Sequence, residues 1–245
     1  MVLEVTDFRA ELELLVELAD SHHPAEALAD IDAVLAAGAR SIDDLSALFL
    51  DRDDGVARHH AGNLLARIGG DIALAAFVAL LRDPRVTRRN HAVNLLNVLG
   101  LPGAIPALLD VLLADPDEGM RECATLALGS CGTSSAAALE ALLTMLTDRD
   151  EGPRLRAAAA EALNGYDDAR VSPALIVALD DPEPEVRFFA AFALSARRDV
   201  TALPALERLA AIEQAVIPNW GSVRDEVVSA IKSIRYAAAR RLSPT

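Results

Sequence analysis

Residues Asp181–Leu194 read DPEPEVRFFAAFAL and give the clearest indication of the fold. The Asp-Pro pair predicts a turn, because proline lacks a backbone N–H and cannot continue a preceding helix. An arginine follows six residues after the aspartate, and alanine and leucine then recur at helical spacing. The stretch therefore predicts an acidic turn followed by a helix of small residues.

The same order of residues recurs along the chain. A second helical pattern lies between the copies, as at Ala104–Leu113, Ala136–Leu146 and Ala202–Ala211. Each repeat is therefore expected to be a pair of helices that buries its apolar face only by stacking on its neighbours. Aligned on the arginine, the copies place Arg58, Arg89, Arg121, Arg156, Arg187 and Arg224 at intervals of 31, 32, 35, 31 and 37 residues.

Composition agrees with a helical protein. Of 245 residues, 48 are alanine and 38 leucine, both strong helix formers, whereas aromatic residues make up only 4%. The net charge of −14 disfavours binding to a phosphate backbone, so no nucleic acid is expected as a partner. No signal peptide or membrane span is recognised, and Cys123 and Cys131 are expected to be reduced thiols, so a cytoplasmic protein without membrane contact is predicted.

The pattern D-P-x-x-x-V-R-x-x-A-A-x-A-L, best kept at Asp181–Leu194, resembles the HEAT repeat in the short bacterial form of the phycobilisome lyases. The resemblance covers residues 42–236. It implies an all-α fold, a right-handed α-α superhelix (a HEAT-like solenoid) of about seven helix pairs. Residues 1–40 depart from the pattern and are predicted to be atypical acidic capping helices, with residues 41–245 forming one continuous repeat array.

Counting from each aligned arginine, positions −1, +3, +6 and +7 are predicted to pack in the core. Positions +1 and +5 lie opposite, with +8 alongside, and the resemblance implies that this side of the second helix lines the concave surface of the solenoid. We refer to these positions as the inner wall. The candidate partner-binding residues there are His59, Asn63, Asn90, Asn94, Asn97, Glu122, Glu161, Phe188 and Phe192.

Asparagine is concentrated on the inner wall, which holds five of the six in the chain, including Asn164. Asparagine is a poor helix former, costing about 0.6 kcal/mol relative to alanine. Its amide offers both a donor and an acceptor, so a row of amides can hold a peptide backbone. The alternative is that these residues are tolerated polar groups on a solvated helix face.

Phe188 and Phe192 lie one helical turn apart on the inner wall, with Phe189 on their flank. Exposed aromatic residues on a polar surface usually mark a contact site. Alternatively, the insert Ile212–Gly221 folds over them, with Trp220 as the cover. The sequence alone leaves both alternatives open.

Residues that resemble catalytic or metal sites have structural explanations. His60, His91 and Cys123 share position +2 of three successive repeats, but helices stacked ~8–10 Å apart rarely bring three ligands to one metal ion. No nucleotide-binding, zinc-binding or nucleophile motif is present. We therefore predict no catalytic residue, no metal and no cofactor.

The predicted function is a non-catalytic scaffold or adaptor that binds a protein or an extended peptide on its concave face. Residues 1–55 hold 14 acids and 3 bases, a charge that could steer a basic partner or simply keep the cap soluble. The resemblance also implies two alternatives. One is a lyase-like or chaperone-type assembly factor of the phycobilisome-lyase family, and the other, less favoured, is a HEAT-like DNA glycosylase.

Overall fold

The computed structural model describes residues 70–242, apart from positions 83 and 85. The chain divides into two compact units, Met1–Leu95 and Leu96–Thr245, and each is described by itself. The predicted capping helices of residues 1–40 and the repeat containing Arg58 lie outside the described residues. The boundary after residue 40 therefore stays a prediction.

The described residues form ten α-helices and one short hairpin. Short 3₁₀ turns lie at Pro102–Ala104, Leu163–Gly165 and Val200–Ala202. None of the helices described is long and apolar enough to cross a membrane. The helices are α1 (Gly70–Leu80), α2 (Val86–Leu99), α3 (Ile105–Ala114), α4 (Glu118–Cys131), α5 (Ala136–Thr147), α6 (Pro153–Ala162), α7 (Val171–Ala178), α8 (Pro184–Arg197), α9 (Leu203–Ile212) and α10 (Val223–Leu242).

Helix pairs are the building blocks of the second unit. Helix α3 packs on α4, α5 on α6, α7 on α8 and α9 on α10. The second helices also pack on one another, with α4 against α6, α6 against α8 and α8 against α10. The prediction of an all-α solenoid of stacked helix pairs is confirmed.

Small side chains fill the contact between second helices. The core positions of α8 include Ala190, Ala193 and Leu194, all fully buried, and α6 buries the run Ala157–Ala160. Because alanine projects so little beyond the backbone, these helices approach closely, and the close packing stabilises the stack. The predicted core stripe is therefore buried in this unit.

The aspartates of the inter-helix turns accept hydrogen bonds from backbone N–H groups. Asp115 and Asp181 each accept a hydrogen bond at 2.9 Å from the backbone N–H two residues later, which closes the turn before the helix starts. In the longer turn before α6 this role belongs to Asp148 rather than to the aligned Asp150. The cap of α4 is Asp117, whose carboxylate accepts from the N–H of Met120 at 2.8 Å.

The aligned arginines join successive repeats. Arg156 donates from Nε and Nη2 to the carboxylate of Asp181, both at 3.1 Å. Arg187 in the next repeat donates from Nε to Glu213 at 2.6 Å. Each arginine thus reaches an acid in the following turn, and the recurring Asp and Arg serve the scaffold at its joints.

The insert before the last helix forms the hairpin. Strands β1 (Val216–Ile217) and β2 (Gly221–Ser222) are antiparallel, with Val216 opposite Ser222. Asn219 has φ of 70° and Gly221 has φ of 98°, and these residue types tolerate that left-handed conformation best. The hairpin carries Trp220 at its turn.

Candidate functional site: a cavity on the second helices

A cavity of about 370 Å³ lies on the second helices of four successive repeats in the second unit. Its size falls within the range of about 300–1,000 Å³ typical of small-ligand sites. Helices α4, α6 and α8 and the last turn of α2 contribute its side chains. We call it the Glu161 cavity, and it is lined by Asn97, Leu126, Gly129, Ser130, Glu161, Ala162, Asn164, Gly165 and Phe192.

Most of these residues come from positions +5 and +8, two of the three columns of the predicted inner wall. Leu126, Glu161 and Phe192 occupy position +5, and Asn97, Gly129 and Asn164 occupy position +8. Residues four apart on a helix lie on one face, so side chains at +5 and +9 point the same way. Ser130 and Gly165 stand at +9, one helical turn beyond +5, so this spacing identifies a column outside the predicted inner wall.

The base of the Glu161 cavity is made by close contact between two helices. A Cβ atom added to Gly129 would stand 2.8 Å from the Cα of Ala162, and one added to Gly165 would stand 3.0 Å from the backbone oxygen of Gly129. No larger side chain fits between these backbones without a shift. The small residues therefore let the helices meet and leave room above them.

The amide of Asn97 is held in place at one edge of the cavity. Its Oδ1 accepts a hydrogen bond from the hydroxyl of Ser130 at 2.6 Å. An amide whose oxygen is engaged in this way retains its NH₂ group as a donor. Asn164 lines the same cavity from the 3₁₀ turn that follows α6, and it is half-buried.

Glu161 is the charged side chain in the lining. Burial raises the pKa of Glu161, and the neighbouring carboxylate of Glu122 raises it further. Within the described part of the chain no arginine or lysine forms an ion pair with Glu161. The carboxylate is thus half-buried, and the described residues supply it with no positive partner.

Glu122 is an inner-wall residue outside this lining. Its carboxylate pairs with the guanidinium of Arg154 at 2.7 Å. Burial raises the pKa of Glu122, Arg154 acts to lower it, and the charges of Glu185 and Glu118 add to the rise. Glu122 therefore already has a counter-ion, in contrast to Glu161.

The two phenylalanines of the inner wall have different environments. Phe192 is 41% exposed and forms an apolar side of the Glu161 cavity. Phe188 is 7% exposed, so its placement on an open groove has to be corrected. Trp220 of the hairpin covers it. The centroid of the Trp220 ring lies 6.0 Å from that of Phe188 and 5.1 Å from that of Phe189. Of the two alternatives, coverage by the insert therefore holds for Phe188 and Phe189, whereas Phe192 stays exposed.

The remaining candidates belong to the first unit. His59 and Asn63 lie outside the described residues. Asn94 is exposed on α2. Asn90 is half-buried, and its Oδ1 is buried without a hydrogen-bond partner among the residues that the structure describes.

The thiols are not arranged for chemistry. Both cysteines are free. The Cys131 thiol donates to the backbone oxygen of Leu96 at 3.2 Å, and burial raises its pKa to about 11. Burial also raises the pKa of Cys123. Because the thiolate is the reactive form, neither side chain has the environment of a nucleophile.

In the part of the chain that is described, no group of His, Cys, Asp and Glu could hold a metal ion.

Comparison with known proteins identifies the family. The model of HEAT repeats matches residues 42–129, 74–164 and 139–217, and the chain belongs to this family. No curated protein matches the chain.

Solved structures are similar in fold. A designed armadillo repeat protein in complex with the peptide (KR)4 is 18% identical, covers 91% of this chain and 99% of its own, and has a TM-score of 0.52. The complex of CpcE and CpcF of phycocyanin lyase from Nostoc sp. is 19% identical, with 95% of this chain and 96% of that chain covered and a TM-score of 0.45.

Proposed function

We propose that this protein is a non-catalytic scaffold or adaptor that binds an extended segment of another protein across its second helices. The observation that carries this proposal is the Glu161 cavity, to which four successive repeats contribute side chains. A ligand lying across the repeats would contact all four helices. This arrangement suits a chain-like partner better than a compact one.

The side chains of the cavity have the properties that peptide recognition requires. Asn97 has an NH₂ donor available for a backbone carbonyl, and Asn164 brings a second amide to the same space. Phe192 provides an exposed aromatic surface for an apolar contact. Interfaces of this kind derive most of their affinity from a few such anchors, with polar groups setting the register of the bound chain.

Several features favour binding over catalysis. Both thiols have raised pKa values, and the arginines of the joints are engaged in structural ion pairs. A lyase-like role would need an open aromatic cleft, whereas Trp220 packs over Phe188. The designed armadillo protein of similar fold is in complex with a peptide, which is a precedent for peptide binding by stacked helices.

The proposal is tested by selecting random linear peptides on the purified full chain. Recovered peptides are then titrated against the wild type and against Phe192→Ala by fluorescence anisotropy. We expect Phe192→Ala to weaken binding by about tenfold or more, as for an aromatic anchor. The matched control is Tyr236→Ala, which removes a 65% exposed aromatic ring outside the cavity and should leave binding unchanged.

Two outcomes would contradict a peptide-binding function at this site. The selection would recover no peptide, or the recovered peptides would bind Phe192→Ala as tightly as the wild type. Circular dichroism of both variants checks that the helices are intact.

A further inference from the structure

Among the described residues, no cation pairs with the charge in the Glu161 cavity. The two neighbouring inner-wall carboxylates differ in this respect, because Glu122 pairs with Arg154 at 2.7 Å and Glu161 has no ion pair among the described residues. A half-buried carboxylate loses part of its hydration, and an opposite charge is the most effective compensation.

The arginines between residues 118 and 197 are all engaged in other contacts. Between residues 118 and 197 the sequence contains no lysine, and every arginine there has its own carboxylate or backbone partner. Arg156, on the same helix as Glu161, is 5% exposed and bonded to Asp181 through two nitrogens. No arginine between residues 118 and 197 is therefore spare for Glu161.

We propose that the Glu161 cavity receives the guanidinium of an arginine side chain from the bound segment, with Glu161 as its counter-ion and Phe192 as the ring beside it. This inference rests on the proposed peptide-binding function and names the side chain that the site selects. The occupant is an arginine of a partner protein, because the cavity combines an unpaired negative charge with an aromatic surface and amide groups.

Guanidinium chemistry matches this lining better than an ammonium or an apolar group. A guanidinium is planar, so it can lie along the ring of Phe192 while its edge donates to a carboxylate in two parallel bonds. Its remaining N–H groups can reach amide oxygens such as that of Asn164. An apolar side chain would bury Glu161 further without compensating its charge.

The experiment uses the peptides recovered by selection on the full chain, each resynthesised with arginine, lysine or citrulline at the enriched position. Citrulline has the shape of arginine without its charge. On the wild type we expect binding to weaken by about tenfold or more for citrulline and by less for lysine, in line with the strength of charged hydrogen bonds. On Glu161→Gln the arginine and citrulline peptides should bind equally.

The matched control is Glu140→Gln, which removes an equal charge from an exposed position on α5. This variant should keep the full preference for arginine, because Glu140 lies outside the lining of the cavity.

Failure of this inference is distinct from failure of the proposed function. Two results would overturn the inference and leave peptide binding intact. The recovered peptides could depend on Phe192 and yet show no preference for arginine, or Glu161→Gln could leave the preference for arginine unchanged. Sedimentation could also show that the wild type self-associates and that Glu161→Gln abolishes this self-association. That result would identify the occupant as an arginine of a second copy and would also overturn the inference. If the selection recovers no peptide, both the inference and the proposed function are overturned.

Discussion

The guanidinium of Arg156 and the carboxylate of Asp181 form a buried pair joined by two hydrogen bonds of 3.1 Å each. Arg156 is 5% exposed and Asp181 is 3% exposed. The same carboxylate accepts from Arg149 at 2.7 Å and from the backbone N–H of Glu183 at 2.9 Å. This pair fixes α6 to the turn before α8, so it determines how one repeat is placed on the next.

Replacing Arg156 with methionine is expected to destabilise the protein by about 3–5 kcal/mol, because Asp181 would remain buried without its main partner. Methionine retains much of the apolar stem, so the loss measures the charge and the hydrogen bonds. The control is Arg154→Met, which breaks a pair whose arginine is 63% exposed, and this change should cost at most about 1 kcal/mol. Urea unfolding of both variants makes the comparison, and equal losses would show that the joint does not hold the repeats together.

The pair of Arg187 and Glu213 predicts a dependence of stability on pH. Burial acts to raise the pKa of Glu213, but the hydrogen bond from Arg187, the backbone N–H groups of Ala215 and Gln214 and the charge of Arg187 outweigh it and lower the pKa. A carboxylate whose pKa is lowered on folding stabilises the native state above its unfolded pKa of about 4.3, and this stabilisation is lost as pH falls through the lower folded value.

We therefore expect Glu213→Gln to be less stable than the wild type at pH 7, with the gap closing as the pH falls below about 4. Urea midpoints measured across this range test the prediction. The exposed pair of Arg235 and Glu207 supplies the control variant Glu207→Gln, which should show no comparable gap at any pH. A gap for Glu213→Gln that widens on acidification would contradict the assigned role.

The contact between α4 and α6 predicts the effect of a single methyl group. Gly129→Ala places a Cβ 2.8 Å from the Cα of Ala162, so the backbones must separate. We expect a loss of about 1–3 kcal/mol, as for overpacking of a core, in spite of the better helix propensity of alanine. Gly119→Ala on the same helix is the control, because the nearest atom to its new Cβ is a side-chain oxygen of Asp117 at 3.1 Å. Similar stability of the two variants in urea would show that the close approach has been misjudged.

The unpaired carboxylate of Glu161 should cost stability in the absence of a ligand. Burial, followed by the charge of Glu122, raises the pKa of Glu161, and a carboxylate whose pKa is raised on folding destabilises the native state when it is ionised. We expect Glu161→Gln to melt at a higher temperature than the wild type at pH 7, and we expect the difference to disappear as the pH falls below about 4, the ordinary range of a glutamate carboxyl. Thermal unfolding by circular dichroism tests this, with Glu140→Gln as the surface control. A lower melting temperature for Glu161→Gln at pH 7 would mean that the carboxylate already has a stabilising partner.

The helix pairs could be predicted from sequence because their signals are local. The pattern at Ala104–Leu113 corresponds to α3 at Ile105–Ala114, and the one at Ala136–Leu146 to α5 at Ala136–Thr147. Proline and aspartate mark the turns, and helical spacing of small apolar residues marks the core face. The hairpin at Val216–Ser222 was predicted only as an insert, since its two-residue strands are too short to show a periodic pattern.

The repeating helix pairs, the core stripe and two of the columns that line the cavity could be predicted from the sequence, because they depend on spacing within one helix. Only the tertiary structure decided which members of those columns stay open. Phe188 and Phe192 lie on one stripe, yet Trp220 from a distant hairpin covers the first and not the second. Glu122 and Glu161 are likewise both inner-wall carboxylates, yet within residues 70–242, positions 83 and 85 aside, an ion pair with arginine is found for Glu122 and not for Glu161. Contacts between residues far apart in the chain decide exposure and charge pairing, and spacing along one helix carries no information about them.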